Sequence, residues 1–241
     1  MKQIASRLRS LAAVVLAVAA TLTYTSCNSD SESTNTYVAW VTLRPSSTAT
    51  ETGSNYYLQL DSTNLLLPNT TAWKSTPYGS KTLRALVNFS YSTEQGKTAT
   101  KRYIDIISMD TIRTKSTVPH LEGDSADIKT YGNDKMDLTY ALGEDGYLTL
   151  QVKAPYSSAA KKTHYINLVT GVDNDNAYTV DLRHNAQGDT IGQYAIFSVA
   201  FDLSKLPATN ATSPKLKVNY KNLEGKSKSV DIPFYFHKNV K

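Results

Sequence analysis

Two histidines are the residues best placed to do chemistry in this 241-residue chain. His164 lies in "THYINLV" and His184 in "AYTVDLRH", each on the aliphatic register of its segment: His164 with Ile166 and Leu168, His184 with Val180 and Leu182. If the two segments are paired strands, the imidazoles approach one another. Completed by Asp181, Asp189 or Asn185, they would make a metal site. Asp181 points to the opposite face by parity and no third ligand is obvious, so the pattern favours a hydrogen-bonded histidine pair at the edge of a sandwich core, with no metal and no cofactor. Arg183 and Asp181 share the other face and should form an ion pair with each other or with a neighbouring strand.

The loops next to these segments have two readings each. "RHNAQGD" could be an exposed recognition corner, but its Asn, Gly and Asp are also what a tight turn between strands requires, and the turn is the expectation. "DNDN", Asp173 to Asn176, faintly resembles a calcium loop, yet it lacks the Gly and distal Glu of an EF-hand and reads as a solvated hairpin. There is no G-x-S-x-G elbow, no Ser and His with an orienting carboxylate and no pair of acids on one strand face, so an enzyme is not expected. Tyr37, Trp40, Tyr56, Tyr57 and Trp73, with Tyr78, are candidates for a ligand face on which sugar rings or bases stack; packing inside a β-rich domain is the alternative.

The elements that must position these residues are almost all strands. "YVAWVTL", "NYYLQL", "NLLLP", "LRALVNFSY" and "TKRYIDIISMDTIR" are five extended segments in residues 37–113, enough for a small barrel. In the fourth, Leu83, Ala85, Val87, Phe89 and Tyr91 share one face while Arg84, Asn88 and Ser90 point the other way. Residues 114–133 carry Pro, Gly and acids with little periodicity and read as a linker. Residues 134–238 contain seven further strand candidates separated by turns such as "GEDG" and "NLEGK", the rhythm of an antiparallel sandwich. A single β-barrel spanning both blocks is the alternative.

The N-terminus is a different kind of segment. Lys2, Arg7 and Arg9 precede an apolar stretch, Leu11 to Leu22, too short to span a membrane comfortably, and residues 1–26 read as an export signal. The only cysteine, Cys27, follows directly, in an arrangement like a bacterial lipobox with Tyr24 where an aliphatic residue is usual. Cys27 is therefore the candidate lipidation site, and residues 27–36 a polar tether between the acyl anchor and the first domain. Removing the leader with its three cations takes the formal charge from +5 to +2. The remaining lysines are scattered, which argues against a nucleic-acid partner.

"YVAWVTLRP" soon after the cysteine, "YYLQLD" followed by "LLLP", the "RALVNFSY" to "YIDIISMDTIRTK" pair, "THYINLV", "YTVDLRHNAQGD" and "FSVAFDLSKL" together resemble the NigD-like lipoproteins of the Bacteroidetes, over nearly the whole chain after the leader. The resemblance implies an all-β protein with an N-terminal OB-like five-stranded barrel and a C-terminal Ig-like β-sandwich. It implies an outer-membrane lipoprotein and says little about activity. Asp30 and Glu32 resemble the surface-export signal of that phylum, and Ser62, Thr111, Ser125 and Thr190 match its Asp-Ser/Thr O-glycosylation pattern. The expectation is a non-catalytic binding or scaffolding lipoprotein, anchored in the membrane and serving an envelope protein or glycan. An enzyme acting on an envelope polymer and a bacteriocin production or immunity lipoprotein are the alternatives.

Overall fold

The computed structural model describes residues 35–236 except 77, 93–99, 124 and 210. Cys27, the leader and most of the tether lie outside the described residues. Strands β1 (Thr36–Pro45), β2 (Tyr56–Gln59), β3 (Leu65–Pro68), β4 (Leu83–Tyr91) and β5 (Lys101–Thr111) close into a barrel in the order β1-β2-β3-β5-β4. Every one of the five extended segments is a strand. The alternation of β4 puts Ala85, Val87 and Phe89 into a core with Val41, Leu58 and Ile104, the larger side chains among them each contributing roughly 1.5–3 kcal/mol on burial. A register shift opposite Asn88/Phe89 leaves Ile107 of β5 as an extra residue, a bulge that bends β5 around the barrel.

The second domain packs two sheets. Its strands are β6 (Arg113–Ser116), β7 (Val118–Pro119), β8 (Asp137–Glu144), β9 (Tyr147–Tyr156), β10 (Tyr165–Thr170), β11 (Thr179–Asn185), β12 (Gln193–Asp202), β13 (Lys215–Lys221) and β14 (Ser227–Pro233), with a short helix α1 (Ala126–Tyr131) after β7. One sheet runs β14-β13-β11-β10-β7, the other β6-β12-β9-β8. Leu148, Leu150, Leu168, Val180, Phe201 and Leu216, all fully buried, fill the space between them. The seven strand candidates of this block are β8 to β14.

Two expectations are corrected here. The stretch 114–133 is not a free linker: β6 joins one sheet alongside β12, the chain crosses at Thr117, and β7 joins the other alongside β10. Nor is the sandwich wholly antiparallel, because β6–β12, β7–β10 and β11–β13 are parallel pairs. The physical reason is the same for both. The direction and existence of a pairing depend on a partner far away in sequence: β6 and β7 are edge strands too short to show a period, and β11 and β13, inside their sheet, alternate as they would in an antiparallel pair.

The domains meet through buried charge. Arg44 of β1 grips Asp145 Oδ2 at 2.9 Å and 3.2 Å. Arg84, expected on the outer face of the barrel strand, is fully buried: its Nε donates to Thr149 Oγ1 of β9 at 3.0 Å and its Nη1 to Thr42 Oγ1 at 2.9 Å. Trp40 stands edge-on to Tyr140 of β8, ring centroids 4.7 Å apart. The outside of the barrel is thus, at this point, the inside of the two-domain protein.

Candidate functional site

The site begins with strand register. β10 and β11 are antiparallel with Ile166 opposite His184, which makes His164, two residues earlier, the diagonal neighbour of His184. Their rings meet: His164 Nδ1 lies 2.9 Å from His184 Nε2. Beyond β11 the chain reverses over Ala186–Asp189, with Asp189 N–H donating to Ala186 O at 2.9 Å and positive φ at both Gln187 (54°) and Gly188 (82°). That is type I′ turn geometry, and it swings Asp189 back beneath the histidines. Asp189 Oδ2 lies 3.2 Å from His164 Nε2 and accepts the Ser157 N–H at 2.9 Å.

The result is a linear chain, Asp189, His164, His184, in which each contact uses a different ring nitrogen. Both side chains of the Asp189–His164 pair are nearly inaccessible, and His184 is 1% exposed. The Ser157 backbone bond and His164 hold the Asp189 carboxyl below the usual carboxylate range, so it is ionised at neutral pH and accepts the His164 Nε2 proton. His164 Nδ1 and His184 Nε2 share one hydrogen bond, whose donor is set by the tautomer. Burial, reinforced by the neighbouring His164, lowers the pKa of His184 and keeps it neutral. Its remaining nitrogen, Nδ1, is buried and closes no hydrogen bond of ordinary geometry, although the backbone of Asp134 and Lys135 lies close enough to favour the charged ring somewhat.

The surroundings fix the rings in place. Phe197 stacks on His164 with centroids 5.1 Å apart, and Tyr156 meets it edge-on at 5.7 Å. Asp134 Oδ2 accepts the Ala186 N–H at 2.8 Å while its own N–H donates to His184 O. Gly132, at φ 86°, permits this approach: a Cβ there would lie 2.4 Å from His184 O. Three donors in a line do not converge on a common point, and among the described residues no group of three His, Cys, Asp or Glu side chains could hold a metal ion. The relay ends on an enclosed ring, with no nucleophile hydrogen-bonded to it.

The other candidates are dispersed. Tyr56 is fully buried in the barrel core and cannot stack on a ligand, which corrects its place in the expected face; Trp73 packs against the same core. Tyr37 stacks on Phe89 at 5.8 Å, Trp40 is taken by Tyr140, and Tyr57 is half-buried on β2. Tyr78 donates to Met109 O at 2.6 Å. Among the O-glycosylation candidates Thr111, Ser125 and Thr190 are exposed and Ser62 is half-buried. Asp173 accepts from Asp175 N–H and Thr179 Oγ1, the bonding of a hairpin turn. Arg183 pairs with Asp181 as the shared face predicts.

Sequence reasoning missed Arg84 and did not single out Asp189 among three options for the third group. The signal for Asp189 was the turn itself, since a Gly one residue before an Asp allows the reversal that carries the carboxylate under the strand.

Comparison with known proteins follows the domain division. Residues 40–112 match the NigD-like N-terminal OB domain and residues 116–234 the NigD-like C-terminal beta sandwich domain. A crystal structure of a provisionally named toxin-related protein from Parabacteroides distasonis is 30% identical, covering 83% of this chain and 93% of its own, with a TM-score of 0.66. A NigD-like immunity protein from Bacteroides caccae shares the fold at 18% identity, covering 80% and 90%, with a TM-score of 0.55. A provisionally named lipoprotein from Bacteroides fragilis does so at 13% identity, covering 84% and 100%, with a TM-score of 0.58. No functionally curated protein matches the chain. With both of its domains matched in order, the chain belongs to the NigD-like family.

Proposed function

We propose that this is a non-catalytic lipoprotein of the outer membrane, tethered through Cys27, whose two joined domains present a binding or scaffolding surface to another envelope protein or a glycan. One observation carries the reading: the side chains with catalytic potential are spent on one another inside the fold, in a relay that ends on a ring 1% exposed. The lipobox-like placement of Cys27 ahead of a polar tether supports the anchor, and Asp30 and Glu32 support display on the outer face.

Crosslinking on intact cells tests it, with a Cys27→Ala variant as the mislocalised control. A near-stoichiometric partner captured only when Cys27 is present is the expected result. Equal capture by the variant, or no partner, overturns the scaffolding role. A second reading, bacteriocin immunity, has support in the names of the Bacteroides caccae and Parabacteroides distasonis proteins. It requires that deletion of the gene sensitise cells to a bacteriocin.

A further inference from the structure

The strand that crosses between the sheets covers each edge only in part. β6 pairs with Val199–Asp202, so Gln193–Ser198 of β12 have no strand on that side. β7 pairs with Val169 and Thr170, so Tyr165–Leu168 of β10 are likewise uncovered. Between these two open edges lies a cleft of about 330 Å³ whose walls include Ile166, Phe197 and Tyr156 with Arg113, Lys115 and Lys162.

The two edges are not equivalent. On β10, Lys115 Nζ donates to Ile166 O and to Asn167 Oδ1, both at 2.6 Å, so a cation from the crossing strand already occupies that edge. Charged caps of this kind are how sheets prevent unwanted pairing. On β12, residues 193–198 read "QYAIFS", with no charge and no proline, and the outward side chains Tyr194 and Ile196 are 57% and 61% exposed. Among the described residues, no loop backbone hydrogen-bonds to this stretch. An apolar edge left open beside a closed one marks a place for strand addition.

We propose that the open edge of β12 receives an extended acidic segment of a protein partner, added as a further strand of the sheet. The charge around the seam selects the occupant. Arg113 and Lys162 are exposed in the lining, which contains no acidic side chain, and Lys153 Nζ sits 4.7 Å above the Tyr194 ring on the outward face. A second copy of this chain would bring these cations against their own copies. An incoming strand has period two, so one set of alternate side chains enters the cleft against Phe197 and Ile166, which Arg113 and Lys162 also line, while the other set runs along the outward face beside Tyr194, Ile196 and Lys153. The partner segment therefore carries Asp or Glu as well as apolar residues. This deepens the binding role proposed above by naming the site and the partner's chemistry.

The test uses the full chain in detergent and a displayed library of peptides, each about ten residues long, with Asp or Glu fixed at alternate positions, against a matching library with Lys fixed. Enrichment from the acidic library alone, with apolar residues between the acids, is expected. Arg113→Glu combined with Lys162→Glu should weaken the selected peptide at least about tenfold, while Lys215→Glu on β13 leaves it unchanged. Both paired substitutions are at exposed positions, and an unaltered unfolding transition confirms the fold. The selected peptide is then N-methylated at odd or at even positions. Strand addition requires that one set abolish binding and the other preserve it, because only alternate N–H groups face the edge.

No acidic preference, or indifference to which set is methylated, overturns the proposal, the second result meaning ionic contact alone. If the peptides fail while the Cys27-dependent partner is still captured on cells, the binding role stands and this site for it falls.

Discussion

Replacing Glu144 by Gln should stabilise the fold above neutral pH, although it removes a charge near a buried arginine. Glu144 ends β8 beside the barrel, and its Oε2 is buried without a hydrogen-bond partner. Burial first, and then the negative charges of Asp61 and Asp145, push its carboxyl up to about 7, against a smaller opposing pull from Arg84. In the unfolded chain it titrates at its ordinary 4.5. Between those values the folded protein holds a proton that the unfolded chain has released, so this group's contribution to stability falls as pH rises from 4.5 and levels off above about 7. At 1.36 kcal/mol per tenfold difference in proton affinity, a fully enclosed carboxyl would cost about 3 kcal/mol; partial exposure screens this to about 1–2 kcal/mol. Urea unfolding of Glu144→Gln and the parent protein at pH 5 and pH 8 measures it. The variant should gain about 1–2 kcal/mol at pH 8 and little at pH 5. An equal gap between the two proteins at both pH values would refute the assignment of a raised carboxyl at this position.

Arg84→Ala should cost about 3–5 kcal/mol, since it empties a fully buried site and leaves the Thr42 and Thr149 hydroxyls without their donor. Calorimetry should then resolve separate barrel and sandwich transitions where the parent protein shows one, and an unsplit, unshifted transition would mean that the arginine does not couple the domains. The lowered pKa of His184 has the opposite sign to that of Glu144. The unfolded chain takes up the proton at about 6.5 while the buried ring resists it, so stability is lost as pH falls below that value. His184→Leu should flatten the stability profile between pH 7 and pH 5, and a slope identical to the parent's would show that this ring does not titrate differently in the two states.

What was legible in the sequence had a period. The β4 alternation of Leu83, Ala85, Val87 and Phe89 gave the barrel face, and the aliphatic registers of His164 and His184 brought two rings to within hydrogen-bonding distance from segments twenty residues apart. What was not legible depends on a second surface. Arg84 obeys its parity and points out of the barrel, but parity cannot say that a second domain covers that spot. The polar "RTKS" of β6 has no apolar face to announce it; its partner Val199–Asp202 lies more than eighty residues on. The aromatics failed for the converse reason: Tyr56 and Trp73 have the composition of a ligand face, yet a barrel this small must fill its interior with side chains, and large rings serve that end. The same limit explains why the open seam escapes a reading of strands one by one. The apolar run "QYAIFS" looks like any buried strand until β6 is found to stop at Val199, and only then do Tyr194 and Ile196 become an exposed edge. In this family member the informative feature is therefore where pairing ends, because an edge half covered by the chain's own crossing strand leaves its other half to a strand from elsewhere.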